Sequence, residues 1–105
     1  MKIKNINGTS NASCGCGAWL KHWEKFSGQK TIYCQAIGCL NTDVVGAHVQ
    51  KSDGLDRSWY IYPLCNAHNK SSTELEVSDT YTPVSANKLE TREKKKTYGS
   101  ILGGF

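Results

Sequence analysis

Apolar and polar residues along this chain change period several times, and each change marks an element. In AWLKHWEKF, residues 18–26, Trp19, Leu20, Trp23 and Phe26 fall at offsets of three and four, with Lys21, Glu24 and Lys25 facing the other way. That spacing predicts a short amphipathic helix ended by Ser27 and Gly28. KTIYCQAIGC, residues 30–39, reads as a short strand entering a tight loop. TDVVGAHVQ, residues 42–50, is rich in β-branched residues and predicts a strand. KSDGLDR then carries turn chemistry, and SWYIYP, residues 58–63, reads as the returning strand, closed by Pro63. CNAHNKSSTELE, residues 65–76, suits a helix of about three turns, and VSDTYTPVSAN is extended or loop. A last charged helix is expected over 86–97, and YGSILGGF reads as a loose end. Residues 1–13 are polar, with Gly8 and several Asn and Ser, and read as an irregular arm. With no internal repeat or linker, the expected organisation is an arm over 1–13, one domain over 14–87 and a basic segment with tail over 88–105.

Composition narrows the class. A chain of 105 residues supports one domain with a modest core. Mean hydropathy is negative, and no apolar run approaches the ~18 residues of a membrane span. The leading MKIKNINGTSNAS has two lysines without an apolar stretch after them, so it does not read as a secretory signal. The expected location is cytoplasmic, with no membrane partner and no evident small-molecule substrate. The net charge of +4 is concentrated: KLETREKKK, residues 88–96, holds five Lys/Arg against two Glu. Such a run is more often a solvated helix or tail than a binding surface, and the rest of the chain lacks a strong polyanion footprint.

Five cysteines make an odd count, and in a reducing compartment closely spaced Cys with nearby His favours metal over disulfide. Cys34 and Cys39 are spaced C-x4-C with Gly38 between them, a loop that can turn both thiolates to one point. Cys65 and His68 are spaced C-x2-H, which shares a face at the first turn of a helix. Two ligands from a knuckle and two from a helix start make a closed tetrahedral site for structural Zn²⁺. The bland reading of the same residues is buried free cysteines and a surface His. Cys14 and Cys16 could be half of a second metal knuckle with His22 and His48, or supply a fourth ligand if His68 points elsewhere. They could equally be two small residues near a helix start, the preferred reading for a separate second site. His22, beside Trp23 and Leu20, reads as a packing residue.

The order knuckle, hairpin, helix, with CQAIGC (34–39), GAHV (46–49) and PLCNAHN (63–69), resembles a treble-clef zinc finger. More narrowly it is similar to the zinc-stabilised branch of the HNH-type (ββα-metal) nucleases, and to short uncharacterised bacterial proteins with CxCG, GAHV and PLCxxHN segments. The treble-clef resemblance covers 34 to about 76. It implies an α+β fold: a zinc-stabilised knuckle, β-hairpin and helix, here with an N-terminal helix and a C-terminal basic segment. Carried over by residue, it makes His48 a general base for the water attacking a phosphodiester and Asn69 a holder of catalytic Mg²⁺. The sequence departs from the family in two places. Ala47 stands where an acidic metal ligand is common, and the Asn that orients the histidine falls near Tyr60.

Three functional classes follow. The favoured one is a zinc-stabilised module that binds a macromolecular partner, nucleic acid or protein, as a phage or mobile-element effector would. Trp59, Tyr60 and Tyr62 are its candidate contacts, with Tyr60 and Tyr62 on one face of the strand and Trp59 on the other. The alternative is an Mg²⁺-dependent endonuclease using His48 and Asn69. A thiol redox protein is the weakest reading, because no C-x-x-C accompanies a βαβ pattern.

Overall fold

A computed structural model of the chain describes residues 1–6, 18–52 and 54–86. It is an α+β fold: strands β1 (Lys2–Asn5), β2 (Val44–Lys51), β3 (Tyr60–Cys65), β4 (Leu75–Glu76) and β5 (Val84–Ser85), with helices α1 (Trp19–Ser27) and α2 (Asn66–Asn69). The strands form one antiparallel sheet in the order β4-β1-β2-β3-β5.

Alternation along β2 and β3 sends side chains to two separate cores. Ala47, Val49, Tyr62 and Leu64 join Ile3, Val77, Cys34 and Cys65 in one. Ile61 joins Trp23 and Val84 in the other, where Trp19, Leu20 and Phe26 of α1 close over it. The amphipathic helix expected over 18–26 is therefore present, and its apolar stripe lies on the sheet. Gly28 ends it in the left-handed region (φ 70°), donating its N–H to the Glu24 carbonyl. Trp23 is fully buried, and its Nε1–H donates to the Thr82 carbonyl at 2.8 Å.

Several local expectations are corrected by long-range pairing. Residues 2–5 are not an irregular arm: they form β1, between β4 and β2. Ile3 and Asn5 face inward and Lys2 and Lys4 outward, an alternation too short to stand out in a polar segment. Residues 30–39 hold no strand beyond a single bridge, Ala36 to Val77. Pro63 does not close β3, which runs on to Cys65. It sits opposite Gly46 of β2, while β5 reaches only Tyr60 and Ile61, so its missing N–H falls on a stretch of edge with no paired strand. The Pro63 carbonyl accepts from the Gln35 N–H at 3.1 Å.

The three-turn helix over 65–76 is also not formed. α2 stops at Asn69, because Ser71 Oγ takes the Thr73 N–H at 3.2 Å and Leu75–Glu76 pair with β1 instead. The charged helix expected over 86–97 and the basic segment 88–105 lie outside the described residues, apart from Ala86. Among the described residues no helix is long and apolar enough to cross a membrane.

Candidate metal centre

Cys34 and Cys39 are held by a loop that closes on itself. The Cys34 N–H donates to the Asn41 carbonyl at 2.9 Å, the Cys39 N–H to the Ala36 carbonyl at 3.0 Å, and Gly38 takes φ 80° at the turn. The Ala36–Val77 bridge pins this knuckle beside the sheet. Cys65 ends β3 and caps α2, its sulfur accepting the His68 N–H at 3.5 Å. The capping position also receives help from outside: Asp43 Oδ2 accepts from the Asn66 backbone N–H at 3.3 Å and its side-chain amide at 3.0 Å. From β1, Asn5 Nδ2 donates to the His68 carbonyl at 2.7 Å and the Ser71 carbonyl at 3.1 Å.

Four potential ligand atoms converge as a result. The Cys34, Cys39 and Cys65 sulfurs and a His68 ring nitrogen all lie within 4.8 Å of one another. His68 Nδ1 is 3.4 Å from Cys34 Sγ and 3.2 Å from Cys65 Sγ, and Cys39 Sγ is 4.0 Å from Cys65 Sγ. A tetrahedron with Zn–S bonds of about 2.3 Å has S···S edges of about 3.8 Å and S···N edges of about 3.6 Å. The three short separations lie within about 0.4 Å of those edges, and a Cys₃His donor set is consistent with zinc. It could hold one metal ion.

The electrostatics suit a cation. Burial pushes the Cys34 thiol above its ordinary value. Burial also opposes ionisation of Cys65, but donation from the Asn41 amide (3.5 Å) and from the His68 N–H and imidazole outweighs it and lowers the pKa. A bound cation would favour the thiolate form of each cysteine that it met. Asn41, Asn5 and Asp43 are the supporting residues that spacing did not reveal. An Asn or Asp in a polar stretch carries no period of its own.

The other candidates are placed elsewhere. Cys14 and Cys16 lie outside the described residues. His22 is buried in α1 with Nε2 at 3.0 Å from the Ser85 carbonyl, which requires Nε2 to carry the proton. His48 points to the α1 side of the sheet, where its ring meets Trp19 edge-on at 4.5 Å; Trp19 meets His22 the same way at 5.1 Å. Asn69 ends α2, next to His68 of the cysteine cluster. Neither His22, His48 nor Asn69 belongs to the Cys₃His cluster, which is the one group of three or more potential metal ligands among the described residues. Among the described residues, no cluster of carboxylates that would suit Mg²⁺ is found.

Burial, reinforced by the nearby His22, lowers the His48 pKa from its ordinary 6.5. The unfolded chain therefore binds the His48 proton more readily than the native state, and stability declines as pH falls below 6.5. Between about pH 7 and about pH 5.5 the native chain is expected to lose more stability than His48→Gln, read by urea midpoints at each pH. Equal losses would show that His48 is not the responsible group.

Of the aromatic contacts expected at a surface, Tyr62 is fully buried, and its hydroxyl donates to the Ser78 carbonyl. Tyr60 is half-buried, its hydroxyl donating to the Asp56 carboxylate and its ring lying under Lys51 Nζ at 4.7 Å. Trp59 remains 48% exposed.

Comparison with protein-family models, with curated proteins and with solved structures finds no match to this chain.

Proposed function

We propose that this chain is a zinc-stabilised treble-clef module, related to the HNH-type nucleases, that works by binding a macromolecular partner. The observation that carries the reading is the convergence of Cys34, Cys39, Cys65 and His68 from two distant segments joined by the β2–β3 hairpin. Knuckle, hairpin and helix start follow one another in the order that a treble clef uses. Zinc held there would be structural, because the protein supplies all four donors of a tetrahedral ion and keeps no position for water or substrate. Its binding energy would add folding stability that a core divided into two small clusters lacks.

Binding is favoured over cleavage by the surroundings of His48. The ring is 8% exposed and packs against Trp19, which leaves little room for an attacking water. The residue before it, Ala47, is in the core on the opposite side of the sheet, and among the described residues no carboxylate joins His48 in a group of potential metal ligands. Elemental analysis of the purified full chain is expected to find one zinc per chain, and supercoiled plasmid with Mg²⁺ or Mn²⁺ is expected to remain intact. Nicking that disappears in His48→Ala would replace this reading with the endonuclease. Two zinc ions per chain would bring Cys14, Cys16 and a histidine into a second site.

A further inference from the structure

Among the described residues, α1 covers only one end of the sheet face it shares. α1 packs over Gly46, Ile61 and Val84, at one end of the hairpin. Toward the other end the same face carries Lys2, Lys4, Gln50 and Trp59. Lys2 and Lys4 point away from the buried Ile3 and Asn5, and Lys4 pairs with Gln50 across β1–β2. One step beyond the Val49–Tyr60 pair sets Gln50 beside Trp59, and the step beyond Tyr60–Ser85 sets Trp59 beside Ala86. The Ala86 N–H donates to the Trp59 carbonyl at 2.9 Å, so a backbone bond fixes Trp59 on the β5 side.

We infer that this row, with the Trp59 indole at its centre and Lys4 at its flank, is a binding surface for single-stranded nucleic acid. The inference rests on the binding-module reading and gives that module its partner class. Three observations converge on a flexible polyanion with exposed bases. Trp59 offers a half-exposed aromatic ring immediately before β3, a surface on which an unpaired base can stack. Lys4 makes no ion pair among the described residues, and Arg57 is exposed at the same end of the hairpin. The nearby carboxylate of Asp56 is committed to the Tyr60 hydroxyl and the Ser58 N–H, and that of Glu74 lies 3.9 Å from Lys2.

A protein partner would want apolar neighbours around the indole. Among the described residues the large exposed aliphatics Ile32, Ile37 and Leu40 lie in and around the knuckle, and Leu55 alone is at the Trp59 end of the hairpin. A duplex keeps its bases stacked within and offers none to Trp59.

The test uses the zinc-loaded full chain and fluorescently labelled oligothymidylate and oligouridylate of about 15 nucleotides, with anisotropy read across salt. Saturable binding that weakens with salt is expected, with an unlabelled duplex competing poorly. Trp59→Ala should weaken binding about tenfold and Trp59→Phe much less, because a smaller ring still stacks. Lys4→Gln should lower the salt slope by about one. Thermal melts and zinc content of each variant separate lost contacts from lost folding. A folded, zinc-loaded chain that ignores both oligonucleotides overturns the inference and leaves the module a protein partner. Unchanged affinity in a folded Trp59→Ala, or preference for duplex, also overturns it. A folded chain that holds no zinc fails the module reading itself, whatever the oligonucleotides do.

Discussion

Removing zinc is expected to abolish the cooperative unfolding transition of this protein. The knuckle that carries Cys34 and Cys39 meets the rest of the fold through the Ala36–Val77 bridge and the Gln35 N–H to Pro63 carbonyl bond, and α2 is four residues long, held by Asn5 and Asp43. Neither could hold its place on local hydrogen bonds alone. Without a cation, the buried Cys34 and Cys65 sulfurs, which lie in the larger core cluster, would lose the ion that their convergence suits. Structural zinc sites contribute on the order of 10 kcal/mol at neutral pH, comparable to the whole stability of a small domain, about 5–15 kcal/mol. Circular dichroism melts before and after a high-affinity chelator should therefore change from a sigmoid to a shallow slope, restored by added zinc. Cys65→Ser and His68→Ala should behave as the chelated chain does, whereas His68→Cys keeps four donors and should retain much of the transition. A chain shown to be zinc-free that melts as before would end the metal-centre reading.

Gly46→Ala is expected to have the second largest effect, although it adds only one methyl group. A Cβ at Gly46 would lie 2.4 Å from the Trp19 carbonyl carbon and 2.5 Å from the Leu20 nitrogen. Both are backbone atoms, so no side-chain rotation relieves the clash. The start of α1 would have to lift off β2, loosening the packing of Trp19 and Leu20 over the smaller cluster. The expected cost is about 3 kcal/mol, read as a lower urea midpoint in the zinc-loaded protein. His48 should become more exposed at the same time, since Trp19 covers its ring. A stability within experimental error of the parent would show that α1 does not approach the strand this closely.

The same residue shows what a linear reading misses. Gly46 looks like an ordinary weakness in a β-branched strand, and nothing in VVGAHV says that a helix backbone lies against it. Likewise KIKN gives two apolar-side positions in a polar segment, too few to distinguish a central strand from an arm. Its place between β4 and β2 is decided by pairing with residues more than forty positions away. The run CNAHNKSSTELE has helical composition, yet its second half is claimed by β1 and by the Ser71–Thr73 turn. Tertiary pairing overrides propensity when the propensity difference is a few tenths of a kcal/mol per residue and the pairing adds whole hydrogen bonds and burial.

By itself the chain determined those features whose cause is local: α1 from its 3.6-residue stripe, the β2–β3 hairpin from β-branched and turn residues, and the two ligand pairs from their short spacings. Only the tertiary structure decided that the two pairs meet at one point, that Tyr62 turns inward while Trp59 stays open, and that His48 lies under Trp19. Those outcomes depend on which face of the sheet each residue occupies and on what packs there. Periodicity assigns residues to faces, but the partner that covers each face comes from elsewhere in the chain.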